Sequence, residues 1–437
     1  MSAAAPPGNL RQALASSSAL LLGFALIMLG GGLQGTLLGL RAAMEGFATV
    51  SVGLIMSAYY GGFLVGSLVT VKLVSQVGHI RVFAALTSVA SMTILLHALV
   101  VDVWIWALFR FISGMCFAGI FIVVESWLND RASNRTRGQL FAVYLMINFA
   151  GLAFGQFLLN VADPQQATLF IIVSVLVSLA AVPLVLSSTP APAFDRATPL
   201  GIAETYRRSP MAIVGVTAAG LVSGAIFGMA AVFAVGMGLS IAQTATFVAM
   251  PIFGAMLLQW PLGWISDRVD RRQVILSASA LGIIATIATL VAPSASVWLF
   301  LAMALLGGAS MPIHGLAASH LNDQVAPGEM VAASGTLILV GGVGAACGPV
   351  LAATLMGLIG SSGFLWFFIG VHAFVLCFAV RRIWRHTILP GLQKRPWVAT
   401  RPAGESPVAA QVLAEVQGES EPVDEAPSTE DAADGRS

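Results

Sequence analysis

The sequence predicts an all-α integral membrane protein with twelve transmembrane helices in two six-helix bundles and with both termini in the cytoplasm. Composition is the first reason: 57% of the 437 residues are hydrophobic and only 9% are charged, whereas soluble domains are about 25% charged. So few charges cannot cover a water-exposed surface, and lipid must surround most of the chain. The second reason is the recurrence of apolar stretches of spanning length, and the third is a repeat that relates the two halves.

Twelve apolar stretches reach the roughly 20 residues that a helix needs to cross the hydrocarbon core. The predicted spans are 17–40, 48–71, 82–101, 103–127, 139–161, 167–188, 210–238, 244–265, 273–292, 297–320, 331–358 and 363–381. No small-residue cleavage site follows the first stretch at a short distance, which favours a retained span over a signal peptide.

The domain organisation follows from these spans. The predicted parts are a cytoplasmic N-terminal segment (1–16), an N-terminal six-helix bundle (17–188), a Pro-containing polar linker (189–209), a C-terminal six-helix bundle (210–385) and a cytoplasmic tail (386–437). The tail is polar and acidic, with many Pro, Ser and Ala residues, and this composition predicts disorder over 386–437.

The cations lie on alternate loops. Of the 21 Lys and Arg residues, all except Arg41 and Arg110 fall in segments on one side of the predicted membrane. Because positively charged loops stay on the cytoplasmic side, this asymmetry predicts that both termini are cytoplasmic. We therefore expect a multi-pass protein of a bacterial inner membrane.

The two halves share a pattern of glycines. The stretches GLAFGQ (151–156) and GAACGP (344–349) match with an offset of 193 residues, and the same offset aligns Gly114 with Gly307. Repeats of this kind are the ground plan of many secondary transporters. We expect close helix packing at Gly114, Gly151, Gly155, Gly344, Gly348 and Pro349.

One loop resembles a known family motif. The stretch GWISDRVDRRQVIL (263–276) is similar to the G-x-L-a-D-r-x-G-r-[RK] loop of major facilitator superfamily transporters, although Asp270 stands where the family usually has Gly. The equivalent loop of the first half keeps Gly78 but has Ser75 in place of the expected Asp. The matching residues, expected to act in gating, are Gly78, Gly263, Asp267, Arg268, Arg271 and Arg272.

Two further stretches resemble the same family. Arg110 and Gly114 are similar to its R-x-x-x-G motif on the fourth span, and residues 123–144 resemble the YcaD-like branch of its bacterial members. The resemblance implies two six-helix bundles around a central cavity that works by alternating access. It also implies which spans lie beside the cavity, and thereby the candidate substrate residues Gln34, Tyr59, Arg110, Asn148, Gln259 and His314.

Arg110 is the strongest of these candidates. A charge at the centre of a membrane helix costs roughly 2.5–3.5 kcal/mol, so it should face a cavity or a partner. Met303 takes the equivalent position in the second half, so the fold itself does not require the charge. We expect Arg110 to bind an anionic group or to tune a proton site; the alternative is a structural arginine that bonds a neighbouring helix or snorkels.

Glu125 lies on the same predicted helix, roughly 22 Å further along its axis at 1.5 Å per residue. This distance excludes a direct pair with Arg110. We expect Glu125 to bond loop cations and to latch the cytoplasmic side closed; the alternative is a proton carrier. The candidate cations are Arg81, Arg135 and Arg137.

The sequence predicts transport rather than catalysis. It has no nucleotide-binding motif, nucleophile motif or metal-ligand spacing, its three cysteines lie in apolar stretches, and its net charge of +1 gives no reason to expect nucleic acid. We expect a monomer that needs no cofactor and carries a small molecule by proton-coupled efflux, as drug:proton antiporters do. The alternatives are proton symport of a sugar or organic acid, and a non-transporting membrane sensor or scaffold.

Overall fold

The computed structural model describes residues 9–133, 136–185, 201–326, 329–385, 397–401 and 406–418. Within these ranges the regular structure is helical, and twelve helical segments are long and apolar enough to cross a membrane. This agrees with the predicted number of spans. The bounds of several helices differ from the predicted ones.

The first half contains six membrane-spanning helices. They are α1 (Leu10–Met44), α2 (Thr49–Val77), α3 (His79–Leu99), α4 (Val103–Arg131), α5 (Arg137–Phe157, extended by a 3₁₀ turn to Asn160) and α6 (Thr168–Val185). Helix α1 begins at Leu10 rather than at residue 17, because the Asn9 side chain accepts a hydrogen bond from the Gln12 N–H and caps a helix longer than its apolar stretch.

The second half has the same plan. A short helix, α7 (Ile202–Arg208), precedes the spans α8 (Pro210–Gly236), α9 (Ile241–Arg268), α10 (Arg271–Val291), α11 and α12 (Val297–Ser310 and Ile313–Asn322), α13 (Met330–Ile359) and α14 (Gly363–Arg385). Helices α11 and α12 form one span that is interrupted at Pro312. The predicted linker is therefore partly helical at α7, while residues 186–200 lie outside the described ranges.

Glycines bring equivalent helices of the two halves equally close. A Cβ on Gly114 of α4 would overlap the carbonyl oxygen of Tyr59 on α2. In the second half, a Cβ on Gly307 of α11 would overlap the carbonyl of Pro251 on α9. The backbones therefore touch at corresponding places, as small residues allow in membranes.

The other predicted packing glycines lie in a second pair of equivalent contacts. Gly151 and Gly155 of α5 pack against the backbone of α1, and Gly344 and Gly348 of α13 pack against the backbone of α8. Pro349 lies beside Gly228 of α8, where an added Cβ would be 3.0 Å from the proline ring. The repeat seen in the sequence is thus a repeat of helix contacts.

The two bundles meet chiefly along the helix pairs α1 with α8, α2 with α13, α5 with α9, and α2 with α8. At the third of these pairs, the Phe154 and Phe253 rings pack edge to face with centroids 5.9 Å apart. The ends of the helices near Gly78, Arg131 and Arg268 lie on the side that we call the basic face, which the sequence predicts to be cytoplasmic.

The C-terminal tail is not disordered throughout, contrary to the prediction for 386–437. Residues 397–401 lie against the bundles, and residues 407–418 form α15 (Pro407–Gly418), which packs on α13, α4 and α5. Val408, Ala409 and Val412 are buried, as expected for an apolar stripe at helical spacing. The composition of the whole tail concealed this stripe. We call residues 397–401 and 406–418 together the strap.

Candidate functional site: a central cavity with one cation

A cavity of about 100 Å³ lies between the first bundle and α8. Its apolar wall includes Met28, Met56, Phe63, Phe117, Phe121 and Phe227, and its polar residues are Gln34, Thr36, Tyr59, Tyr60, Arg110, Asn148 and Gln156. All of these polar residues belong to the first bundle. Among the described lining residues there is one cation, Arg110, and no carboxylate.

Arg110 is held by an aromatic face. Its side chain is 6% exposed, and its guanidinium carbon lies 4.3 Å from the centre of the Tyr59 ring. The Tyr59 ring in turn packs edge to face against Tyr60 and Phe117, with centroids 5.3 and 6.0 Å away. A ring face attracts a cation but does not neutralise it, so the positive charge remains available to a ligand.

Three buried polar atoms around this cavity have no hydrogen-bond partner in the described part of the chain. They are Nε of Arg110, Nε2 of Gln34 and Oδ1 of Asn148. Buried polar atoms without a hydrogen-bond partner are uncommon in folded proteins, and they often mark a place where a ligand or water binds. Two of them are donors and one is an acceptor, which suits a ligand that carries an anionic group and a hydroxyl or amide.

Gln156, unlike the three atoms above, is hydrogen-bonded to a neighbouring helix. It accepts a hydrogen bond from the Thr36 hydroxyl, and its Nε2 donates to the Gly32 carbonyl at 2.9 Å. It therefore ties α5 to α1 beside the cavity. Gln156, Tyr60 and Thr36 line the cavity but were not among the predicted cavity residues.

Two predicted cavity residues do not line the cavity. Gln259 is buried on α9 and its Nε2 donates to the Thr400 carbonyl of the strap at 3.1 Å. His314 is buried on α12, close to Gly341 of α13. The prediction was wrong for both because the inward-turned face of a helix depends on its neighbours. Gln34, Tyr59, Arg110 and Asn148, by contrast, are brought together.

Glu125 has a partner that the sequence reasoning missed. It is fully buried, accepts a hydrogen bond from the Tyr144 hydroxyl at 2.5 Å, and lies 3.4 Å from Nη2 of Arg401 in the strap. Arg81, one of the predicted partners, is exposed. Arg135 lies outside the described residues and Arg137 begins α5. The cation beside Glu125 comes from 276 positions further along the chain, the difference between 401 and 125.

The loop between α9 and α10 is held by ion pairs. Arg271 is buried and lies 2.7 Å from Asp323 and 3.4 Å from Asp267. Asp270 caps α10 and pairs with Arg272 at 2.7 Å. Burial acts to raise the pKa of Asp270, but the hydrogen bonds from Arg272 outweigh it and the net pKa is lowered.

The remaining motif residues lie around this loop. Arg268 stacks on the Trp264 ring at 3.7 Å, and Gly263 faces the Trp397 ring of the strap. Gly78, in the equivalent loop of the first half, has a φ of 92° between α2 and α3, a conformation that favours glycine.

Comparison with known proteins identifies the family. The family model described as Major Facilitator Superfamily matches residues 20–349 and 253–414. The chain belongs to the Major Facilitator Superfamily. It is 27% identical over 373 residues to the uncharacterized MFS-type transporter YcaD of Escherichia fergusonii, covering 85% of this chain and 96% of that protein. It is 26% identical over 382 residues to an uncharacterized MFS-type transporter of Yersinia pestis, covering 87% and 97%.

Solved structures agree on the fold of this superfamily member. The nucleoside transporter NupG superposes with a TM-score of 0.71 at 15% identity, covering 85% of this chain and 99% of that one. A bacterial homolog of the human lysosomal transporter Spinster, in an inward-facing and occupied conformation, gives 0.68 at 15% identity, covering 88% and 100%. The predicted resemblance and the twelve-helix fold are confirmed, and the family indicates a non-enzymatic, multi-pass membrane transporter.

Proposed function

We propose that this superfamily member is a secondary active transporter of the bacterial inner membrane that carries a small organic anion by alternating access, driven by the proton gradient. One observation carries the proposal: the buried Arg110 guanidinium faces a cavity whose described lining has no carboxylate. A charge within a membrane protein is expensive and marks a functional site by default. A carboxylate or similar anion would neutralise it and form charge-assisted hydrogen bonds.

The rest of the cavity supports the same class of ligand. The Gln34 amide would add a second donor to the anionic group, and the Asn148 oxygen would accept a hydrogen bond from a hydroxyl or amide of the ligand. Phe63, Phe117 and Phe121 supply an apolar wall for the ligand body. An apolar wall with a few polar groups that point towards the same place is typical of small-molecule sites.

Efflux in exchange for protons is the direction that the charges favour. When a monovalent anion leaves the cell and one proton enters, two charges move with an inside-negative potential. This movement releases roughly 4.6 kcal/mol per 100 mV, twice the value for one charge. Symport of an anion with a proton moves no net charge and gains nothing from the potential, so it ranks second.

The test uses a pH probe in energised inside-out vesicles that contain the protein. We expect monocarboxylates, but not their neutral amides, to release the proton gradient. Arg110→Gln should abolish this release with normal membrane insertion, and Arg110→Lys should retain part of it. The exposed Arg207→Gln variant is the matched control. Equal responses to carboxylates and amides, or an unchanged Arg110→Gln variant, would contradict the proposal.

A further inference from the structure

We propose that the strap is a removable plug that fastens the two bundles together at the basic face and closes the cavity on that side. The inference rests on the proposed transport function for one of its readouts. Its evidence is separate, because it comes from contacts of residues 397–401 and 406–418 rather than from the polar groups of the cavity.

The first contact joins the strap to the first bundle. Arg401 is 2% exposed, lies 3.4 Å from the buried carboxylate of Glu125, and stacks on the Phe121 ring at 3.8 Å. Phe121 also lines the central cavity. The Arg401 side chain therefore reaches from the basic face to the residue that forms the adjacent wall of the cavity.

A second contact joins the start of α15 to the same carboxylate. The Ser406 hydroxyl donates a hydrogen bond to Glu125 and accepts one from the Ala409 N–H at 3.2 Å. Ser406 thus caps α15 while it bonds α4. The carboxylate of Glu125 thus accepts hydrogen bonds from Tyr144 and Ser406 and lies beside Arg401, and two of these three partners belong to the strap.

The same strap is bonded to the second bundle. The Trp397 N–H donates to Asp267 at 2.9 Å and the Thr400 carbonyl accepts from Gln259 at 3.1 Å, both on α9. The Trp397 ring lies against Gly263, where any Cβ would overlap it. Five consecutive residues therefore bridge α9 of one bundle and α4 of the other.

Alternating access requires the bundles to rock apart on one side of the membrane and then on the other. A segment bonded to both bundles opposes separation on its own side. The strap must therefore break some or all of its contacts with the bundles before the cavity can open at the basic face. One feature suits release: Arg401 and Glu125 are charges that water solvates well once the segment has moved away.

Two truncations and a labelling assay test the plug without a known substrate. In a chain whose three cysteines are replaced, Leu152→Cys places a thiol at the cavity wall, away from the described strap contacts. A membrane-impermeant maleimide is applied from the basic face. We expect labelling about fivefold faster or more in a chain that ends at residue 396 than in the full chain. A chain that ends at residue 418, which keeps the strap, should match the full chain.

A point variant keeps the test decisive if the truncated chain inserts poorly. Arg401→Gln should also speed labelling, whereas Arg385→Gln, at the exposed end of α14, should not. Adding a synthetic peptide of residues 397–418 to the truncated protein should restore slow labelling, and the same peptide with R401Q should restore less. Equal labelling rates in the full chain, the truncated chain and the Arg401→Gln variant would contradict the proposal that the strap is a plug.

Transport provides the second readout. If the strap is a plug, the chain that ends at 396 should transport faster than the full chain once a substrate is known. Loss of transport with normal insertion would overturn the plug and make the strap a structural part of the carrier. Failure to find an anionic substrate would contradict the proposed function, but would leave the labelling result intact.

Discussion

The Arg110 guanidinium lies over the Tyr59 ring, 4.3 Å from its centre, and this pair joins α4 to α2 at the wall of the cavity. The two backbones also touch at this place, because Gly114 on α4 packs against the carbonyl of Tyr59. Close packing of the helices and placement of the cation are therefore one arrangement.

The Tyr59 ring should matter more than its hydroxyl. We expect Tyr59→Phe to bind the anionic substrate nearly as well as the parent, because the ring face remains. Tyr59→Leu should weaken binding about 2- to 30-fold, the equivalent of roughly 0.5–2 kcal/mol for a cation–π contact. Equilibrium binding of a labelled carboxylate measures this, with Tyr206→Leu on α7 as control. Equal affinities of the Phe and Leu variants would exclude a role for the ring face.

Close contact at Gly114 should be sensitive to one methyl group. We expect Gly114→Ala to lower the free energy of unfolding by about 1–3 kcal/mol, because the new Cβ would force α2 and α4 apart. Gly370→Ala is the matched control, since nothing lies within 4 Å of a Cβ added on α14. Thermal unfolding in detergent, followed by size exclusion, compares the two. Equal melting temperatures would show that the helices separate freely.

The bond between α1 and α5 should also contribute to stability. Gln156→Leu removes the hydrogen bonds to Thr36 and Gly32 while keeping a similar volume. We expect a loss of about 0.6–1.7 kcal/mol, from the average to the maximum found for hydrogen bonds between membrane helices. The exposed Gln166→Leu variant should be unchanged. A Gln156→Leu variant as stable as its parent would mean that the lost bonds are compensated within lipid.

Asp270 should make stability depend on pH. Because its pKa is lowered in the folded protein, its contribution is complete above the ordinary value near 4 and is lost as the pH falls through the folded value. We expect Asp270→Asn to flatten the fall in melting temperature below about pH 4. Melting curves from pH 7 to pH 3 test this, with the exposed Asp130→Asn as control. Parallel curves for parent and Asp270→Asn would contradict it.

The position of Asp270 also explains a departure from the family motif. The family usually has Gly there, and this chain has a carboxylate that caps α10 and pairs with Arg272. A motif comparison registers only the mismatch. The structure shows what the substituted residue does here: its side chain caps α10.

Cavity residues could be predicted only in part. Gln34, Tyr59, Arg110 and Asn148 were expected on the cavity and line it, whereas Gln259 and His314 do not. A polar residue deep in a span must find a partner, and the sequence reveals this need. It does not reveal whether the partner is a ligand, another helix or, as for Gln259, the strap.

The amino-acid sequence by itself determined the membrane setting, the twelve spans, the twofold repeat and the presence of a buried cation. These follow from hydropathy, spacing and the cost of charge in lipid, which are properties of short stretches. Only the tertiary structure decided that Arg401 pairs with Glu125 and that the strap joins the two bundles. Contacts between positions so distant in the chain depend on how whole helices pack, and no local pattern encodes them.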